Sequence, residues 1–513
     1  MIKDNENITK TISLDEIGTS LSDGSIGIEK ECLRVNKSSI AQTDHFHALG
    51  SSLCNKFITT DFSESLLEFV TPPVNDKDQA LDFLDNIHHF VTQKIEDEYL
   101  WPLSMPPLIN SASDINIAKY GTSNEALFKM TYRSGLSGRY GRLMQAIAGI
   151  HFNYSLPQTF WEKIQYFFPE MNEKDITSKI YFRTLRNIQR MNWLILYLFG
   201  ASPIVSKNFV NTNSKDKFIK FKDYYYLPYA TSLRMSDLGY QNFNQSNLNI
   251  SLDSLDKYTD DLNIATSTKL LVTQQIKDLQ SHFSQINSNT LQIEDEYYAV
   301  ARPKSNVVSN ERPISKLINH GVDYIELRSI DLNPFSSKGI EIDTIEFLEV
   351  FLIYCTLKSS PALSKDELKE SKHNDLLVAK NGRKESLILR RNKKNISLKD
   401  WGNEIFDEMF SFISILGNKG SLLNRYKRCI QYPELTISES FLNRVLEDNV
   451  NFNTIGYKIA KKNKKKYLNL HPSKNIYWEI LQEEVDRSIN RQSRLEADDN
   501  KSFEEYVKSY FSY

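Results

Sequence analysis

Apolar and polar positions alternate with a period of two in five short stretches of this chain. The first, Ile26 to Arg34, lies between Asp23-Gly24 and Asn36-Lys37-Ser38-Ser39, turn formers that bound a short strand. On a strand, residues two apart share a face, so Glu29 and Glu31 point the same way. Leu66 to Val70 alternates again, with Glu68 opposite Leu67 and Phe69, and Pro72-Pro73 stops it. Ile150 to Ser155 divides into His151, Asn153 and Ser155 on one side and Ile150, Phe152 and Tyr154 on the other. Thr290 to Lys304 reads as a strand with Gln292, Glu294 and Glu296 on one face, ending in Ala301-Arg-Pro-Lys304. Asp323 to Pro334 reads as another, with Tyr324, Glu326, Arg328 and Ile330 sharing a face.

Longer stretches repeat at helical spacing. Leu81, Leu84, Ile87, His88 and Val91 predict a helix within 76–98 that covers the sheet. Residues 176–200 form an apolar, aromatic helix ended by Gly200, most of Ser251 to Ile286 is helical, and 341–358 is a buried helix. Residues 102–125 and 224–240 read as loops. After Pro334 strand signals fade: 364–400 is a Lys-rich, irregular connection, and 400–513 holds several helices. The Lys461-to-Lys466 run reads as a solvated loop. No internal repeat is present. The fold class expected is α+β, with mainly antiparallel strands in residues 1–370 and a helical part, 371–513, packed on that core and not an independent domain.

Composition narrows the function classes. The chain has 513 residues, 40% of them hydrophobic and 25% charged, which is ordinary for a folded globular protein. Its 63 basic and 65 acidic residues nearly cancel, so no nucleic acid or membrane surface is expected as partner. Cys32, Cys54, Cys355 and Cys429 are scattered, with no disulfide framework or zinc knuckle, which suits a reducing compartment. The polar start and the absence of a long apolar run predict a cytoplasmic protein, with a monomer as the default expectation.

Two carboxylates on one strand face repel unless a cation lies between them. Glu29, Glu31, Asp61, Glu68, His151 and Glu326 all fall in strand-like segments. Hard oxygen donors with one imidazole suit Mg²⁺ or Mn²⁺ and not zinc. Arg302, Lys304 and Arg328 add fixed cations suited to phosphate oxygens. Metals with Arg and Lys clamps are the components of phosphoryl transfer from a nucleotide. No Walker-type loop and no kinase motif set is present, so an ATP user of this kind would hold its phosphates through metals on a sheet.

Eight blocks make the chain recognisable: Gly27-Ile-Glu-Lys-Glu-Cys-Leu-Arg34, Thr59-Thr-Asp-Phe-Ser-Glu-Ser-Leu-Leu-Glu-Phe-Val-Thr-Pro72, Trp101-Pro-Leu-Ser-Met-Pro106, Tyr120-Gly-Thr-Ser-Asn124, His151-Phe-Asn-Tyr-Ser155, Tyr225-Tyr-Leu-Pro-Tyr-Ala-Thr-Ser-Leu-Arg234, Ser236-Asp-Leu-Gly-Tyr240 and Tyr324-Ile-Glu-Leu-Arg328. In order and spacing, from about residue 20 to about 360, they resemble the proteobacterial-type glutamate–cysteine ligases. The resemblance implies a glutamine synthetase-like fold, a curved, mainly antiparallel sheet forming a funnel with helices outside. It also implies ligation of L-glutamate to L-cysteine with ATP, the first step of glutathione biosynthesis. By position, Glu29, Asp61 and Glu326 resemble one set of Mg²⁺ ligands, and Glu31, Glu68 and His151 another. Tyr132, Arg234 and Tyr240 match residues of the amino-acid sites. Arg328, with Arg302 and Lys304, matches the ATP-phosphate side, and Glu326 and Arg328 are the expected catalytic pair. A related carboxylate–amine ligase, a metal-dependent hydrolase and a catalytically silent binding protein are the competing readings.

Overall fold

The computed structural model describes residues 8–10, 12–21, 24–37, 39–210, 217–239, 245, 248–270, 285–307, 311–412 and 419–512. At its centre is a seven-stranded sheet of β1 (Ser25–Val35), β2 (Ile58–Thr60), β3 (Leu66–Val70), β4 (Tyr99–Leu100), β5 (Ile150–Ser155), β6 (Ala301–Lys304) and β7 (Tyr324–Ile330). The order is β2-β3-β1-β5-β7-β6, with β4 paired to the end of β1, and every pairing is antiparallel.

Alternation along the strands gives this sheet two unlike faces. Ile28, Phe152 and Leu327 are fully buried, and side chains of this size each contribute about 1.5–3 kcal/mol by leaving water. They face a helical layer that includes α1 (Lys77–Lys94) and α3 (Glu173–Phe199). Asp76 caps α1, accepting from the backbone N–H of Asp78 and Gln79. Lys30 meets this layer too, with its Nζ 2.7 Å from His88 Nε2 on α1. Behind α3 lies α4 (Ile342–Leu357), apolar all round because it is covered on both sides; Phe199 and Phe347 pack edge to face at 5.4 Å. The opposite face of the sheet carries the acids.

The C-terminal third is more regular than the alternation suggested. Residues 364–400 contain α5 (Lys365–Asn381), capped by Ser364 on Glu367 N, and the hairpin Ile388–Arg391/Lys394–Ser397, not an irregular connection. The lysine run lies on α6 (Phe452–Leu468), not on a loop: Lys464 Nζ donates to Glu98 O and sits over the Tyr99 ring. Trp101 packs against Phe452 and Tyr457, and a Cβ at Gly456 would fall 2.0 Å from its ring. Two further helices, α7 (Trp478–Ala497) and α8 (Phe503–Phe511), complete the chain.

Three other readings change. Only Ala301–Lys304 of the 290–304 stretch is strand; Glu294–Glu296 is a 3₁₀ turn, because Glu294 turns to Arg312 and Glu296 to Arg139. Within 251–286 the described helix is Leu255–Ser267, and residues 271–284 lie outside the described residues. Tyr224–Tyr226 is a strand, paired with Ile204–Ser206 and Ile219–Phe221 in a small sheet. No helix among the described residues is long and apolar enough to cross a membrane.

Candidate active site

The acidic face of the sheet floors a cavity of about 960 Å³. Strand register brings its acids together. Glu29 on β1 lies opposite His151 on β5, Glu31 lies opposite Glu68 on β3, and Glu326 on β7 lies opposite Asn153 on β5. Asp61 follows β2, where its N–H donates to Leu66 O. A bulge between Leu327 and Ile330 opposes an extra residue on β7 to β5. Arg328 lines the cavity with Glu326 by alternation, whereas the bulge pairs Ile330 with Ile150 and turns it to the helices, off the face the sequence pattern gave it.

Within the cavity, His151 Nδ1 is 2.9 Å from Glu29 Oε2 and 3.6 Å from Glu326 Oε1, and its Nε2 is 3.7 Å from Glu31 Oε1. Asn153 Nδ2 donates to Glu29 Oε1 at 2.9 Å, and Gly149 N donates to Glu31 Oε2 at 2.7 Å. Two sets of three donor groups result, Glu29–His151–Glu326 and Glu31–Glu68–His151, each with ligand atoms within 4.8 Å of one another. They share His151. Asp61 lines the same cavity and belongs to neither set.

The cations stand on one side. Arg328 donates to Glu326 Oε1 at 3.1 Å, and Lys304 Nζ lies 3.6 Å from Glu326 Oε2. Arg302 is turned to the Asp295 and Tyr297 carbonyls. Arg234, in the 3₁₀ turn Leu233–Met235, donates to Arg328 O at 2.9 Å and lies 3.7 Å from Asp331 Oδ1. It passes so close to Gly149 that a Cβ there would fall 1.9 Å from its Nη2. Tyr132 enters from α2 (Asn124–Tyr140), and its carbonyl accepts from Gln292. Tyr240 lies outside the described residues.

Charge separates the acids. Burial opposes ionisation of Glu326, but Lys304, Arg328 and His151 outweigh it and hold its carboxyl well below the usual range. Burial likewise works against Glu29, yet its carboxyl is lowered, chiefly by the hydrogen bond to His151. Glu68 goes the other way: burial, then Glu29, Asp61 and Glu31, push it well up. Glu31 is raised by burial and by Asp61. Near one end of the sheet, then, acids are ionised and clamped by cations; near the other they crowd one another and favour a cation between them.

The pattern of residues did not single out three contributors. Asn153 was on the polar face but carried no role, although it holds Glu29. Arg133, next to Tyr132, donates to Asp61 O and stacks 4.8 Å over the Tyr120 ring. Gly149 holds Glu31 through its N–H and leaves room for Arg234, a contact across 85 residues of chain with no local signal.

Comparisons with known proteins agree with this geometry. A family model described as glutamate-cysteine ligase matches residues 10–378. The chain is 40% identical over 502 residues to a glutamate–cysteine ligase of Aliivibrio fischeri, covering 95% of each chain. To that of Pseudomonas entomophila it is 40% identical over 497 residues, covering 94% of this chain and 93% of the relative. A solved glutamate–cysteine ligase from Francisella tularensis in complex with AMP superposes with a TM-score of 0.89 at 34% identity, covering 96% of this chain and 98% of the other. A bifunctional glutathione synthetase from Pasteurella multocida shares the fold at a TM-score of 0.71 and 22% identity, covering 93% of this chain and 58% of that one. The chain belongs to the glutamate–cysteine ligase family.

Proposed function

We propose that this chain joins the γ-carboxyl of L-glutamate to the amine of L-cysteine, converting ATP to ADP and phosphate and opening glutathione biosynthesis. The observation that carries this is the pair of hard-donor sets sharing His151, set beside Arg328 and Lys304 in one cavity. Family membership supports the same reading, and the AMP held by the Francisella tularensis relative supports a nucleotide substrate.

The donor sets fit Mg²⁺ or Mn²⁺ by chemistry, being carboxylates with one imidazole, and Glu326 Oε2 and Asn153 Oδ1 are buried without a hydrogen-bond partner in the protein. Glu29, Glu326 and His151 would hold one ion, and Glu31, Glu68 and His151 another, with Asp61 adjoining. Bound there, divalent ions would offset polyphosphate charge and orient the γ-phosphate. Arg328 and Lys304 donate to the phosphate oxygens as charge shifts, with Arg302 within reach of the same side. A γ-carboxylate oxygen of glutamate attacks the γ-phosphorus, the bond to the ADP oxygen breaks, and a γ-glutamyl phosphate forms. The unprotonated cysteine amine then attacks the acyl carbon, the C–O bond to phosphate breaks, and the amine loses its proton. Arg234 orients a substrate carboxylate through its fork of donors, and Tyr132 walls the amine side, with Tyr240 assigned to the same substrate by the family resemblance alone. None of Cys32, Cys54, Cys355 or Cys429 lines the cavity, and all four are free thiols, in keeping with a direct acyl-phosphate route and with a cytoplasmic enzyme. Residues 1–370 supply this chemistry, with 371–513 packed on them.

The test is ADP release from Mg-ATP and L-glutamate with and without L-cysteine. Strong stimulation by cysteine is expected. Turnover only with another amine would keep the chemistry and move the substrate, and no ADP with any pairing would overturn the reading.

A further inference from the structure

We propose that the C-terminal helical pair is a working wall of the catalytic cavity, and that Asp499 is a positioning residue for α2, the helix that presents Tyr132 and Arg133. Asp498, Asp499, Lys501, Tyr506 and Tyr510 line the same cavity as Glu29 and His151, although they lie more than 300 residues further along the chain.

Helix α2 needs acceptors at its N-terminus, where the first N–H groups have no partner within the helix. Ser123 supplies one, at 3.3 Å from Ala126 N. Another comes from the C-terminus. The Asp499 carboxylate accepts from the backbone N–H of Asn124 and, at 2.5 Å, from its Nδ2, which also donates to Lys501 O at 2.8 Å. Two residues earlier, in the approach to the helix, Thr122 N donates to Glu496 Oε1 at 2.9 Å. A negative group at the positive end of a helix dipole, bound through charge-assisted hydrogen bonds, is a strong restraint for its size. Gly121 shows how close the approach is: its φ is +106°, and a Cβ there would fall 2.2 Å from Glu496 Oε1.

The pair also bridges to the other wall. Phe128 of α2 packs on Tyr506 and Tyr510, with the latter ring 4.6 Å away, while Arg312, just ahead of Pro313, lies 5.2 Å over Phe511. Further along α2, Arg133 donates to Asp61 O beside the acidic cluster. Loosening the first turn of α2 therefore moves Tyr132 and Arg133 relative to Asp61, without touching a group of the donor sets.

This assignment rests on the ligase reading only for which substrate Tyr132 faces. Its test uses the full chain with Asp499→Ala and Asp499→Asn, reading KM for cysteine, glutamate and ATP, kcat, and amide hydrogen exchange over residues 121–133. Asp499→Ala should raise the KM for cysteine roughly tenfold, since displacements near 1 Å at a site cost up to about a hundredfold. The KM for ATP should stay within about twofold and kcat at saturation should change little, and exchange over 121–133 should accelerate several-fold. Asp499→Asn keeps an acceptor oxygen and should recover most of both effects. Equal rises in all three KM values, a fall in kcat alone, or unchanged exchange would overturn the proposal. If the wild type forms no γ-glutamylcysteine, the ligase reading fails, and exchange decides the positioning role by itself: acceleration in Asp499→Ala sustains it and identical exchange overturns it.

Discussion

Asp375 on α5 is 3% exposed, and Asn192 of α3 donates to it, with Nδ2 3.0 Å from Oδ2. Asn192 in turn accepts from Ser329, the neighbour of Arg328 on β7, at 2.6 Å. Burial pushes the Asp375 carboxyl up to about 8, against the Asn192 hydrogen bond. In an unfolded chain it titrates at about 4. Between those two values the folded state holds a proton that the unfolded state has released, so stability falls as pH rises through that window. The contribution is fully present below about pH 4 and is lost towards pH 8, at a slope of about 1.4 kcal/mol per pH unit and a ceiling of about 5.5 kcal/mol. Asp375→Asn keeps an oxygen for Asn192 and removes the charge. For a chain of this length, about 2 cal/mol/K per residue of unfolding entropy makes each kcal/mol worth about 1 °C. Melting followed by calorimetry at pH 5, 6.5 and 8 should show the variant above the wild type by about 1 °C at pH 5, widening to about 5 °C at pH 8. A constant gap across pH, or a variant less stable than wild type at pH 8, would refute the reasoning.

Three other perturbations act in the cavity. Gly149→Ala places a methyl group where Arg234 Nη2 now lies, and should lower kcat/KM about 10- to 100-fold with little change in melting temperature; steady-state kinetics at normal activity would remove Arg234 from the site. Glu29→Gln keeps the Asn153 hydrogen bond but loses a charge from its donor set, so ADP release should fall at least about a hundredfold while the circular dichroism spectrum is unchanged. Chelation with EDTA should abolish ADP release, and Mn²⁺ should restore it as well as Mg²⁺; activity that survives chelation would contradict the metal role.

The acids were legible because strands repeat every two residues. Glu29 and Glu31, His151 and Asn153, and Glu326 and Arg328 sit in clean alternation, and register alone then sets them side by side. Ile330 broke that rule because a bulge adds a residue to β7, which alternation does not reveal. Glu294 and Glu296 imitated a strand face, yet each answers a distant arginine, Arg312 and Arg139. Helix α5 carried a capping signal in Ser364-Lys-Asp-Glu367, masked by its many charges. The wall built by Asp499 and Tyr510 had no local signal at all, because its partners Asn124 and Phe128 lie more than 370 residues away.

The most direct test follows oxygen from one substrate to a product. L-Glutamate labelled with ¹⁸O in its γ-carboxyl is incubated with Mg-ATP, L-cysteine and the enzyme, and the released phosphate is analysed by mass spectrometry. Transfer through γ-glutamyl phosphate predicts one ¹⁸O atom in each phosphate, formed in step with the γ-linked dipeptide. Unlabelled phosphate accompanying the same dipeptide would contradict the account.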